Sequence, residues 1–177
     1  RSTQGVSSAA SDVYKRQKQY RIIFRKAGDF MAFDTRELFA RLLKCESGGE
    51  GIEGMRAVAS VIINRSTVPY GEFARISNGG DVRAIITQPN QFTCLKTSVG
   101  GQYNSQNVYN IVPEDIHYEI ADWALAGNTD SSVGNSLFYF NPYSSTCPNY
   151  FPTNIGVIYN RIGKHCFYSP TQAYKNT

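Results

Sequence analysis

Cys45-Glu46-Ser47-Gly48-Gly49-Glu50-Gly51 closes one apolar helix and opens another. The helix before it is expected to start near Asp34 and Thr35, where Asp34 and Glu37 have the spacing of a capping box. Its apolar positions are Leu38, Phe39, Leu42 and Leu43. At about 100° per residue, the position seven after Phe39 and four after Leu42 falls on the same stripe. That position is Glu46, so a carboxylate continues the line of a core-facing helix at its last turn. Gly48 and Gly49 then stop the helix. The alternative is a helix-end glutamate turned to solvent. Two features argue against it. Desolvation along an apolar stripe raises a carboxyl pKa, and the adjacent glycines leave room for a ligand near the backbone. A protonated carboxyl at the lip of a groove is what a general acid for glycoside cleavage requires.

The head of the chain reads differently from the rest. Ser7 to Gln17 back-translates, with suitable codons, into a sequencing-library adapter, and its part from Asp12 to Gln17 matches a transposase end sequence. Lys18 to Phe30 reads as leader translated in frame, and Gly28-Asp29 can be encoded by a ribosome-binding site just upstream of Met31. The expectation is that residues 1–30 are not native and are disordered, and that the domain runs over 31–177. Charge follows the same division. The whole chain carries +4, but from Met31 onward 11 basic residues face 12 acidic ones, a net −1. The basic balance belongs to the head and gives the domain no support for nucleic-acid binding.

From Met31 there is length for one domain with a sizeable core. No apolar run reaches the ~18 residues of a membrane span, and no signal peptide follows Met31. A second helix is expected from Glu53 to Asn64, with Met55, Val58, Val61 and Ile62 at helical spacing. Asn64-Arg65 are expected to close it, and Pro69 blocks continuation. Asp81 to Ile86 reads as a short helix, Gln88-Pro89-Asn90-Gln91-Phe92 as a turn, and Lys96 to Asn110 as a long surface loop of the kind that often carries function. Pro113-Glu114-Asp115 reads as a helix start with proline in the first position. That helix should turn Ile116, Ile120, Trp123 and Ala124 inward, leave His117 exposed, and stop at Gly127. Strands are expected at Leu137 to Phe140, Val157 to Ile162 and His165 to Tyr168, with Gly163 interrupting the last two. Helices first and strands later give an α+β domain, mainly helical, with a small antiparallel sheet near the C-terminus.

These pieces resemble the SleB/CwlJ-type cell wall hydrolases, the spore cortex-lytic family. The stretches that carry the resemblance are the opening motif, Ala57-Val58-Ala59-Ser60-Val61-Ile62-Ile63-Asn64-Arg65, Gln88-Pro89-Asn90-Gln91-Phe92, Leu137-Phe138-Tyr139-Phe140-Asn141-Pro142 and Arg161-Ile162-Gly163-Lys164-His165-Cys166-Phe167. They stand in the family's order over nearly all of Met31 to Tyr168. The resemblance implies a lysozyme-like, lytic-transglycosylase-like fold. It also implies cleavage of peptidoglycan glycan strands between N-acetylmuramic acid and N-acetylglucosamine, for cortex lysis during germination. Carried over by position, Glu46 is the catalytic acid and base. A hydrolase would use two carboxylates flanking the bond, and Glu50 is the nearby candidate, with a loop-fixing role as its other reading. Many members have alanine where this chain has Cys45. Gln88, Gln91, Phe92, Tyr139, Asn141 and His165 are the expected substrate-binding residues. Gln88, Gln91 and Phe92 read equally as a turn pinned by Pro89 with Phe92 in the core, and His165 as structural.

The rival readings are a muramidase-type hydrolase, a phage endolysin, a Cys/His amidase and a non-catalytic peptidoglycan-binding module. Cys45 sits at a helix C-terminus, which disfavours the thiolate an amidase needs. Cysteines at 45, 94, 147 and 166 show no paired metal spacing, so no metal or cofactor is expected. Their even number allows a disulfide, of which Cys147–Cys166 is one pairing that sequence does not select. Expected partners are glycan strands and a spore-coat or germination accessory protein. Nucleic acid and membrane insertion are not expected, and the protein is read as a monomer. The expected location is the spore coat and cortex region, reached from the cytoplasm.

Deleting residues 1–30 should leave folding and activity intact. Urea midpoints of full and shortened chains check this, and a loss above ~1 kcal/mol would mean that the head packs on the domain.

Overall fold

Helix α1 (Thr35–Ser47) buries Leu38, Phe39, Leu42 and Leu43, the stripe that the periodicity predicts, and Ala40 with them. A fully buried side chain of this size contributes about 1.5–3 kcal/mol, so the stripe fixes the helix's rotation. Gly48 follows directly, and an added Cβ there would lie 2.5 Å from the Lys44 carbonyl oxygen, so only glycine lets the chain leave the helix this tightly. The computed structural model describes residues 33–177. The segment 1–30 and the start at Met31 lie outside the described residues.

Thr35–Thr177 forms one compact unit. Helix α2 (Gly51–Thr67) runs through its centre and packs on α1, on α3 (Gly71–Ser77), on α4 (Val82–Thr87) and on α5 (Asp115–Leu125). It is longer at both ends than the pattern predicts. Asn64 and Arg65 do not close it; both sit in its last turns with side chains turned inward. Asn64 Nδ2 donates to the Gly134 and Ser136 carbonyls, and Arg65 Nε donates to the Leu137 carbonyl at 2.7 Å. Tertiary partners for these two side chains outweigh their weak helix-ending tendency. Val68 in extended conformation ends the helix before Pro69.

Asp81 caps α4, its carboxylate accepting from the Ala84 N–H at 2.9 Å, as expected of an aspartate at that place. In α5 the buried face is His117, Ile120, Ala121 and Ala124. Ile116 and Trp123 are only half-buried, and Pro113 precedes the cap residue Glu114 rather than opening the helix. His117 is therefore buried, not exposed. Its Nδ1 accepts the Glu114 backbone N–H at 3.1 Å, a cap that draws the ring under the helix start. The long polar loop contains a hairpin, β1 (Ser98–Val99) with β2 (Gln102–Tyr103), which its polar composition does not announce. Gly100 and Gly101, both at positive φ, form its turn.

The larger sheet is antiparallel, in the order β3 (Phe138–Phe140), β5 (His165–Pro170), β4 (Gly156–Ile162). Its short helix α6 (Gln172–Lys175) returns Tyr174 to the α3 side, where its hydroxyl accepts from the Phe73 N–H at 3.0 Å. A disulfide links Cys147 to Cys166 and ties the long β3–β4 connection to the central strand. The arrangement is α+β, as expected.

The β4–β5 turn is fastened to the helical half by Glu50, whose Oε2 accepts the Lys164 N–H at 2.7 Å. Gly163 stands beside it at φ 57°, and an added Cβ would fall on that carboxylate. Gly163→Ala should therefore cost about 1–3 kcal/mol in urea unfolding. A loss within ~0.5 kcal/mol would mean that the turn is not held by this contact.

Candidate active site

Glu46, in the last turn of α1, lines a cavity of about 480 Å³. One of its carboxylate oxygens accepts from the Cys94 thiol at 3.3 Å and the other from the Tyr139 hydroxyl at 3.3 Å. Burial pushes the Glu46 pKa above its ordinary value. The hydrogen bonds from Cys94 and Tyr139 and the charge of Arg65 pull it back without cancelling the rise. The acid thus holds its proton to higher pH than a solvated glutamate, while two donors stand ready to stabilise the anion left after the proton departs.

Tyr139 comes from β3. Its ring stacks on Phe167 at 5.8 Å and meets His165 edge-on at 5.4 Å. Burial, with the charge of Glu46 added, holds the phenol pKa well above 10, so the hydroxyl stays a donor. His165 begins β5 on the cavity wall. Burial lowers its pKa against the opposing pull of Glu50, which favours the neutral ring, and its Nδ1 is buried without a hydrogen-bond partner among the described residues. Asn141 lines the cavity too, its Oδ1 accepting the Tyr143 N–H at 2.8 Å. Tyr143 stands beside it almost fully exposed. Glu50 shares the cavity, but one of its oxygens is committed to the Lys164 backbone.

Five of the residues expected from sequence, Glu46, Glu50, Tyr139, Asn141 and His165, therefore meet around one cavity. Gln88, Gln91 and Phe92 do not reach it. Gln88 Nε2 donates to Glu72, Gln91 Oε1 accepts from Arg65, and Phe92 is buried with its ring 5.7 Å from the Arg65 guanidinium. Gln91 and Phe92 thus contact the buried cation, Gln88 is held by Glu72, and Phe92 packs in the core as in the other reading of the turn.

The reading from sequence missed the opposite wall. Thr93 and Cys94 come from the 3₁₀ turn Thr93–Leu95, and Asn104 and Gln106 come from the loop after β2. The polar composition of that loop marked it as functional but singled out no residue. Its shape comes from asparagines bonding to local backbone, among them Asn104 Nδ2 to Lys96 O at 2.9 Å and Asn110 Nδ2 to Ser105 O at 3.0 Å. Cys45 also faces the cavity, its thiol donating to the Gln106 carbonyl at 3.3 Å. The neighbouring Cys94 thiol is pushed far up, first by hydrogen bonding with Cys45 and then by burial.

Residues 49–168 match a family described as Cell Wall Hydrolase. The chain belongs to that family. Among relatives of this cell wall hydrolase, CwlJ of Bacillus subtilis is 32% identical over 135 residues, covering 76% of this chain and 84% of its own. The spore cortex-lytic enzyme of Bacillus subtilis is 31% identical over 153 residues, covering 86% of this chain and 43% of its own length. Among solved structures, the catalytic domain of the germination-specific lytic transglycosylase SleB from Bacillus anthracis superposes with a TM-score of 0.54 at 26% identity, covering 78% of this chain and 98% of that one. The corresponding Bacillus cereus SleB domain gives 0.54 at 28% identity, with 76% and 88% covered. The chain is an enzyme that acts on peptidoglycan, with the α+β fold of the SleB catalytic domain. Glu46 lies just before the span that matches the family, so its role rests on the geometry above.

The raised Glu46 pKa has a sign that unfolding can read. The folded state binds this proton more tightly than the unfolded chain, whose value is near 4.5. Stability from this group is full below that pH and declines as pH rises through the higher folded value. Wild type should thus lose stability relative to Glu46→Gln as pH climbs from 4 toward neutrality, as measured by urea unfolding across that range. The opposite slope would place the carboxyl in surroundings that favour its anion.

Proposed function

We propose that this enzyme cleaves the glycan strand of peptidoglycan between N-acetylmuramic acid and N-acetylglucosamine, with Glu46 as general acid and then base. The observation that carries the reading is the Glu46 carboxyl. It is largely buried in the lining of a cavity, its pKa is raised by desolvation, and two donors face its oxygens. Protonated Glu46 gives its proton to the glycosidic oxygen as the bond from the muramoyl anomeric carbon breaks. The resulting carboxylate, steadied by Tyr139 and Cys94, takes the proton of the muramoyl 6-hydroxyl as that oxygen closes onto the anomeric carbon. The product is a 1,6-anhydro sugar, and no second free carboxylate is needed.

Glu50 favours this lytic path over two-carboxylate hydrolysis, because its side chain is occupied with the Lys164 N–H. It nevertheless lines the same cavity, and this makes hydrolysis the second reading. A Cys/His amidase fits poorly. The Cys45 thiol of that reading lies in the last turn of α1, where the helix dipole disfavours a thiolate, and donates to the Gln106 carbonyl, while the His165 ring faces Tyr139. The names of the relatives support spore cortex as the substrate and germination as the occasion. Deposition in the coat and cortex region, and an accessory protein there, belong to the same proposal.

Glu46→Gln should fold and still bind sacculi but lose about 10²–10⁴ in rate, at the upper end because one group serves both steps. Glu50→Gln should lose far less. Mass spectrometry of muropeptides released from cortex sacculi reads both rate and product. Anhydro-muropeptides, lighter by one water than hydrolytic products, support the lytic path. Their release at near wild-type rate by Glu46→Gln would sink the assignment.

A further inference from the structure

Two thiols flank the proposed acid, and none of the chemistry above uses them as ligands. Cys45 Sγ, a Glu46 carboxylate oxygen and Cys94 Sγ all lie within 4.8 Å of one another. Neither cysteine is in a disulfide. The Cys94 sulfur to Glu46 oxygen distance is 3.3 Å. A zinc-sized ion with bonds of about 2.3 Å to sulfur and about 2.0–2.2 Å to oxygen needs donors spaced at about this range.

We propose that Cys45, Glu46 and Cys94 form an inhibitory site for a thiophilic divalent cation of the zinc class. The three donors come from two rigid places. Cys45 and Glu46 are consecutive in the last turn of α1, and Cys94 is buried in the 3₁₀ turn packed against that helix. Sulfur donors select zinc-class ions over calcium or magnesium, which take oxygen ligands. Three protein ligands leave a fourth position, which opens on the cavity and is filled by water. An ion seated here occupies the carboxylate that would deliver the proton. The cation is thus a reversible brake on cleavage rather than a participant in it.

Binding stands on the three donors alone, whereas inhibition rests in addition on Glu46 as the acid. The test separates the two. Untagged full-length protein, its two free thiols confirmed reduced by titration, is mixed with cobalt chloride. A visible spectrum with tetrahedral bands and thiolate-to-cobalt absorption at one ion per chain is expected, displaced by zinc. The Cys45→Ala/Cys94→Ala double variant should lose the thiolate absorption, and Glu46→Gln should bind more weakly while keeping it. Rates on cortex sacculi are then compared with and without zinc for each protein. Zinc should cut the wild-type rate by about 10²-fold or more, with recovery on adding a chelator, and should leave the double variant's own rate unmoved. Absence of thiolate absorption in the reduced wild type, or its persistence in the double variant, overturns the site. Absorption with an undiminished rate in saturating zinc keeps the site and overturns Glu46 as the acid.

Discussion

A permanent positive charge sits in the interior, and the rest of the molecule is arranged around it. Arg65 is 5% exposed. Burial pulls its pKa down, and the nearby tyrosines, Glu46 and Glu72 push it back. Guanidinium remains charged under such pressure, so neighbouring carboxyls adjust instead. Desolvating the cation costs several kcal/mol. Hydrogen bonds to Leu137 O and Gln91 Oε1, and the faces of Phe73 and Phe92 at 4.7 and 5.7 Å, offset that cost. These partners come from the residue before β3, the turn after α4, and α3. One side chain from α2 therefore decides where the sheet meets the helices.

Glu46 is set by a contest of opposed effects. Its place on an apolar stripe favours the neutral acid. Arg65, Tyr139 and Cys94 favour the anion, and burial prevails. A carboxyl balanced in this way can act in both protonation states, which a single group serving two successive steps requires. A fully apolar pocket would hold the proton too firmly, and direct pairing with Arg65 would release it too soon.

The helical stripe of α1, the three later strands and the direction of Glu46 were legible because each rests on local periodicity. Arg65 shows where local reading fails. A polar residue near a helix end reads as a terminator, and nothing nearby in sequence announces that its partners lie 26 and 72 residues away. The contacts of Gln91 and Phe92 with Arg65 escape local reading for the same reason, since an amide and an aromatic suit a sugar as well as they suit a buried cation. His117 was read as exposed because the backbone N–H it accepts is invisible in a helical wheel. Asn104 and Gln106 reach the cavity through backbone bonds that asparagines make within one loop, and composition records only the asparagines.

The central strand of the larger sheet, β5, is the last of the described strands to be made, with β3 and β4 on either side of it. These two do not pair with each other, so before β5 arrives neither has a neighbour in the sheet. Glu46 is synthesised before the strands of this sheet, and the hydroxyl that steadies it belongs to β3, whose strand partner is β5. Contacts this distant in sequence form late in folding. A ribosome-bound chain holding every residue up to the β4–β5 turn thus carries the acid without its site. An enzyme able to dissolve a cell wall is in this way timed by its own topology, becoming competent only once β5 has emerged to join β3 and β4.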